Sequence, residues 1–333
     1  MGYLRHEFFM MWNETLNKLD KTHTPILAAQ KWGQKIQHIH LVNEGINLVY
    51  CYELHQQKYY LRLTHAKLRS PKELEAALMY QRHLFEHDAP VCEPMLSQNG
   101  LWFESVWQGD EEFLAHVCKE VPGEPIHSDY PALLYETWGQ ALGQLHAATA
   151  SYDFSRYQYA TWSKSIEEME AYITHESLEI KNALDSVSTC MNARPQSNQN
   201  YGLTHGDHRE GNVLTDGKQL HLIDFDLPSI NWFTEDLFRP FFDAIVHNRT
   251  NWQDKMKPYL EGYFSIRHES SADLSAFPWQ ILMKCLEIYL WTKNNWNGES
   301  APGGENNQNW LQVIHHKIID REWMISLPHL IRN

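Results

Sequence analysis

The chain predicts an α+β fold in two lobes: a small antiparallel β lobe with one main helix, followed by a larger, mainly helical lobe. Two observations carry this. Strand-like runs over 36–42, 48–54 and 59–64 fill the early part of the chain, separated by turn residues, and show the partial alternation of half-buried strands. From Tyr130 onward, apolar residues recur at helical spacing, beginning with Leu133, Leu134, Trp138, Leu142 and Leu145. Between these regions lies Lys119-Glu120-Val121-Pro122-Gly123, where Pro and Gly punctuate the chain as a hinge. The expected lobes are therefore 1–118, with a helical extension over 1–32, and 119–333.

The elements follow in order. Phe8, Phe9, Trp12, Leu16 and Leu19 suit an amphipathic helix within 7–32 that stops before Thr22 and Pro25. Asn43-Glu44-Gly45-Ile46-Asn47 links the first two strands as a turn. In the third strand Tyr59, Leu61 and Leu63 face one way, and Lys58, Tyr60, Arg62 and Thr64 the other. Ser70-Pro71-Lys72-Glu73 supplies an N-cap, a proline at the first helical position and a capping-box Glu. The helix it opens reaches about His87. Runs over 94–97 and 101–107, flanking Gln98-Asn99-Gly100, predict a β-hairpin, with a further strand over 113–118. Helices are expected over 130–149 and 162–184, from Thr234 as N-cap, and near 252–265, 272–293 and 308–320. Gly139 and Gly143 suggest close packing of one helix on another.

Composition narrows the function. The 333 residues are 43% apolar and 13% aromatic, which describes a globular protein with ample core. A net charge of −14 argues against a nucleic-acid partner. No apolar run reaches the ~18 residues that a membrane span needs, and the start has no signal-peptide pattern. Five scattered cysteines without C-x-x-C point to free thiols in a reducing compartment, hence the cytoplasm.

The informative stretch is 204–226, THGDHREGNVLTDGKQLHLIDFD. His205-Gly206-Asp207 is followed by Asn212 and then by Asp224-Phe225-Asp226. Asp216-Gly217 is a tight-turn signal between two short β-prone runs. Phosphoryl transfer needs this set: an Asp to orient and deprotonate an attacking hydroxyl, and oxygen ligands to fix Mg²⁺ against nucleotide phosphates. Asp207 fits the first role, and Asn212 and Asp224 the second. Arg209, inside the loop, could neutralise charge on the moving phosphoryl group or brace the loop.

The pattern resembles the kinase catalytic loop H-R-D-x-x-x-x-N followed by D-F-G. With Gly206 and Asp226 as its departures, it looks most like the aminoglycoside phosphotransferase and choline kinase-like family of small-molecule kinases. The resemblance implies a protein-kinase-like fold and transfer of the γ-phosphate of ATP, or of GTP, to a hydroxyl of an amino alcohol, sugar or aminoglycoside. It implies Arg62 as the cation on the phosphates, Gly45 and Asn47 in the turn over them, and a backbone edge at Lys119 and Val121 for the base. The family's helix acid aligns with Ala77, leaving Glu73 or Glu75 to pair with Arg62. Asp236 corresponds to an Asp that stabilises the fold. Distal aromatic residues with Glu261 and Glu287 could receive a cationic acceptor, although helix-bundle core explains them better. A Ser/Thr protein kinase of the same fold and a non-catalytic nucleotide-binding regulator are the competing readings.

Overall fold

The computed structural model describes residues 18–45, 47–126, 130–250, 252–268, 271–295, 306–325 and 327. It divides into two compact units. The first comprises Met1–Glu124, Tyr152–Tyr159 and Leu214–Asp226, and the second Pro125–Ser151, Ala160–Val213 and Leu227–Asn333. No described helix is long and apolar enough to cross a membrane.

The helix expected within 7–32 lies outside the described residues as far as 17. Beyond that, a short helix α1 (Thr24–Ala29) begins where the sequence suggested an end. Pro25 is tolerated there because a helix's first turn does not use its N–H. The Asp20 carboxylate accepts from Thr22 N and His23 N at 2.9 and 3.0 Å just before it.

The first unit is built on a six-stranded sheet. Strands β1 (Gln37–Glu44), β2 (Leu48–Leu54) and β3 (Gln57–His65) form an antiparallel meander, and β6 (Glu111–Lys119) pairs with β3. Alternation buries Leu48, Tyr50, Tyr52, Leu61, Leu63, Phe113, Ala115 and Val117 as one cluster. The hairpin expected between 94–97 and 101–107 does not form. Strands β4 (Pro94–Met95) and β5 (Glu104–Gln108) each pair with β6. The tight connection falls at Gly109, whose φ of 60° suits a turn, so β5 hairpins onto β6 instead. Ser97 and Asn99 of the other turn bind the buried Glu104 carboxylate.

Helix α2 (Pro71–Glu86) opens with the predicted capping box: Ser70 Oγ accepts from Glu73 N, and Glu73 Oε2 accepts from Ser70 N at 2.8 Å. Ser70→Ala should therefore lower stability by about 1 kcal/mol, measured as a shift in urea midpoint at unchanged slope.

A three-stranded sheet has the order β11-β10-β7, with β7 at Glu124–Pro125, β10 at Val213–Thr215 and β11 at Leu220–Leu222. The predicted Asp216-Gly217 turn joins its two longer strands, with Gly217 at φ 87°.

In the second unit α3 (Ala132–Thr149) packs on α8 (Gln253–Ile266) at Gly139, where an added Cβ would meet Tyr259 O at 1.8 Å. The backbones approach because no side chain intervenes. The region expected as one helix over 162–184 is two, α4 (Trp162–Tyr172) and α5 (Leu178–Ala193), because Ser177 adopts an extended conformation and caps the second. Strands β8 (Ala160–Thr161), β9 (Tyr201–Thr204) and β12 (Ser229–Trp232) form a small sheet in the order β8-β12-β9. Short helices α6 (Thr234–Phe238) and α7 (Phe242–Val246) follow, then α9 (Phe277–Asn295) and α10 (Asn307–Ile319). Thr234 is not the N-cap. It is the first helical residue, and its Oγ1 accepts from Arg194 Nη2 at 3.3 Å.

Candidate active site

Strand β9 ends at Thr204 and delivers His205, Gly206 and Asp207 into a loop. Gly206 turns the chain at φ 82°, and an added Cβ would meet Leu227 O at 1.8 Å. Only glycine fits there. The loop is anchored from below by Asp236 of α6, fully buried, whose Oδ2 and Oδ1 accept from His205 N at 2.7 Å and Gly206 N at 3.1 Å. His146 of α3 donates from Nε2 to the same carboxylate at 3.1 Å, and Tyr263 lies 2.9 Å from its other nitrogen. Burial keeps His146 neutral by lowering its pKa.

Asp207 is half-buried and held on both oxygens. Arg239 Nη2 donates to Oδ1 at 2.9 Å, and Arg209 Nε and Asn212 Nδ2 donate to Oδ2 at 3.0 Å each. Burial pushes the carboxyl pKa up, but the Arg239 and Arg209 charges outweigh it and hold Asp207 below the ordinary carboxylate range. One 3₁₀ turn over Glu210–Asn212 brings Asn212 back, and its Nδ2 also donates to Asp207 O at 2.8 Å. With Nδ2 so committed, the amide oxygen is left to accept.

The first unit carries the other predicted residues. Arg62 Nη1 donates to Asp224 Oδ1 at 2.9 Å, and its Nη2 lies 3.2 Å from Asp226 Oδ2. Arg69 grips Asp226 twice, Nη1 to Oδ1 at 2.7 Å and Nη2 to O at 2.9 Å. Asn47 Nδ2 donates to Asp226 Oδ2, and Thr64 Oγ1 donates to Asn47 Oδ1. Burial opposes ionisation of Asp226, yet Arg62 and Arg69 hold its pKa far below the usual range. Asp224 has φ 70°, a conformation that costs an ordinary residue on the order of 1 kcal/mol and concentrates at functional sites. Its Oδ2 accepts no hydrogen bond among the described residues.

The partner of Arg62 is thus an aspartate pair rather than a helix glutamate. Glu73 is held by Ser70, and Glu75 is exposed. The Gly45 N–H closes its turn onto Asn47 O at 3.1 Å. The Lys119 N–H donates to Glu93 O at 2.9 Å, whereas Val121 makes no backbone hydrogen bond among the described residues. Glu287 is paired to Lys284 at 2.9 Å, which also reaches the buried Glu235 at 3.1 Å.

Sequence reasoning missed Arg239, Arg69 and the role of Asp226. Arg239 was findable, since it lies three residues after Asp236, where a helical turn puts side chains on one face. Arg69 precedes an N-cap and gave no such signal.

In the first unit Asp224 offers a carboxylate oxygen, and in the second Asn212 offers an amide oxygen, each by itself an oxygen donor of the type that hard divalent cations select.

The phosphotransferase enzyme family matches residues 40–270. Amicoumacin kinase of Bacillus subtilis (strain 168) is 26% identical over 274 residues, covering 79% of this chain and 82% of that protein. A solved amicoumacin kinase, in complex with AMP-PNP and Ca²⁺, superposes with a TM-score of 0.81 at 22% identity, covering 94% of this chain and 97% of that one. A microcompartment-associated aminopropanol kinase gives 0.71 at 18% identity, covering 92% and 98%. The two-lobed, protein-kinase-like α+β fold is shared with these structures. The chain belongs to the phosphotransferase enzyme family and is a kinase.

Proposed function

We propose that this enzyme transfers the γ-phosphate of ATP to a hydroxyl of a small molecule, with Asp207 as the base. The observation that carries the reading is the Asp207 carboxylate, held ionised by Arg239 and Arg209 and oriented by Asn212. An ionised, immobilised carboxylate orients an alcohol and takes its proton as the bond to phosphorus forms. Asn212 and Asp224 would hold Mg²⁺, which when bound supplies charge neutralisation at the phosphates. Arg62, pre-oriented by two carboxylates, would grip phosphate oxygens bidentately. Asn47, tied to Asp226 and Thr64, holds the turn assigned to the phosphates, and Val121 offers its amide to the base. Arg209, exposed where Arg239 is not, is the cation suited to meet charge on the moving group. ATP is favoured over GTP only by the AMP-PNP bound in a relative.

The relatives named above act on amicoumacin and aminopropanol by their names, and the second of these, an amino alcohol, supports an acceptor carrying both hydroxyl and amine. Free thiols at all five cysteines suit the cytoplasm. Incubation with Mg²⁺ and γ-labelled ATP should label one of a panel of amino alcohols, sugars and aminoglycosides. Label confined to protein from a cell extract would instead select the protein-kinase reading, and nucleotide binding without any transfer the regulator.

A further inference from the structure

Two thiols in the first unit have no part in phosphoryl transfer. Cys92 lies just before β4 and Cys118 near the end of β6, strands that pair with Pro94 opposite Cys118. The Lys119 N–H to Glu93 O bond extends that pairing towards Cys92. The Gln81 amide of α2 donates to both sulfurs, at 3.0 Å to Cys92 and 3.4 Å to Cys118. One amide nitrogen thus holds both sulfurs at the same place in the fold. Their exposures, 7% and 9%, leave room for a small reagent only.

The two groups differ chemically. The neighbouring Cys118 sulfur, with burial, pushes the Cys92 thiol well up and keeps it protonated. The neighbouring Cys92 thiol, the Gln81 amide and the nearby Arg62 charge pull Cys118 down against its burial. A thiolate-prone sulfur that shares one amide donor with a protonated sulfur has the layout of an attacking thiol beside a resolving one.

We propose that Cys92 and Cys118 form a reversible disulfide when a hydroperoxide oxidises Cys118. The Cys118 thiolate attacks a peroxide oxygen, the O–O bond breaks, and the sulfur becomes a sulfenic acid while the other oxygen leaves as water after taking a proton. The Cys92 sulfur then attacks the sulfenic sulfur. The S–O bond breaks, and hydroxide leaves as a second water with the proton from Cys92. Two thiols and one hydrogen peroxide thus give one disulfide and two waters.

The register specifies both the consequence and the control. Tyr60 stands opposite Cys118, and Arg62 opposite His116, so Arg62 and Cys118 share one face of the sheet. The cross-link would fasten β4 to β6 on the face that carries the phosphate cation. Cys51 stands opposite Tyr60 from the other side. It is therefore two strand spacings from Cys118, about 10 Å, beyond the reach of a disulfide.

The test treats the native full-length protein with hydrogen peroxide, unfolds it in denaturant containing N-ethylmaleimide to block the remaining thiols, and maps peptides by mass. We expect two of the five thiols to be lost, in one cross-linked peptide pair holding Cys92 and Cys118, and to return with dithiothreitol. Cys118→Ser should leave Cys92 fully alkylated, and if that variant does not fold, the wild-type map decides alone. Retention of all thiols, a bridge to Cys51, or sulfinic acid at Cys118 with Cys92 alkylated would overturn the proposal. None of these outcomes depends on the acceptor or on phosphoryl transfer.

Discussion

Asp207→Asn should lower the rate of phosphoryl transfer by about 10² to 10⁴-fold, the usual contribution of a positioned general base, while Mg-ADP affinity is retained. Asn keeps the shape but cannot take the alcohol's proton. It also leaves Arg239, whose side chain is 18% exposed, without the charge it faces, so some stability is lost as well. Turnover is read with labelled ATP and affinity by calorimetry. Wild-type turnover in the variant would remove Asp207 from the chemistry. Loss of nucleotide binding together with turnover would mean that the residue is structural.

The largest effect on stability should come from Asp236→Ala. The carboxylate is fully buried and accepts from two backbone N–H groups of the loop and from His146. Its removal leaves those donors unsatisfied inside the protein, with a cost of about 3–5 kcal/mol by analogy with broken buried pairs. Chemical denaturation measures this, and turnover should fall with it because Gly206 loses its anchor. The same residue gives a pH dependence. Burial raises its pKa, but His146 brings it down to about 2 in the folded state, below the ~3.9 of an unfolded Asp. Its contribution is therefore complete above the unfolded value and is lost as pH falls towards the folded one. The denaturation midpoint of the wild type should drop across that window, and the variant should lack this component.

Much of this was legible because the signals were local. The capping box at Ser70, the turn at Asp216-Gly217 and the close-packed Gly139 each act within a few residues or through the absence of a side chain. So does the spacing from Asp207 to Asn212, since one 3₁₀ turn accomplishes the return. The misreadings involve competition between distant partners. Nothing in 94–107 says that β6 offers an edge long enough for two short strands, so the nearer pairing looked natural. The partner of Arg62 was sought on a helix because the resemblance pointed there, yet Asp224 and Asp226 lie more than 150 residues away in sequence. Glu73 could be excluded beforehand by its role in the cap. Thr234 has the residue type of an N-cap, but the helix it was meant to cap starts one residue earlier than that role requires.

The pairing of Arg62 with Asp224 also bears on the order of arrival of ligands. A bare divalent ion drawn to Asp224 would compete with a guanidinium already seated on that carboxylate, and its success would leave Arg62 with Asp226 as its one carboxylate of the pair. An ion that comes with its triphosphate brings the replacement anion along. If Asp224 holds the cation and Arg62 the phosphates as proposed, exchange of partners compensates both charges, and the cation and the nucleotide should be taken up as a single species.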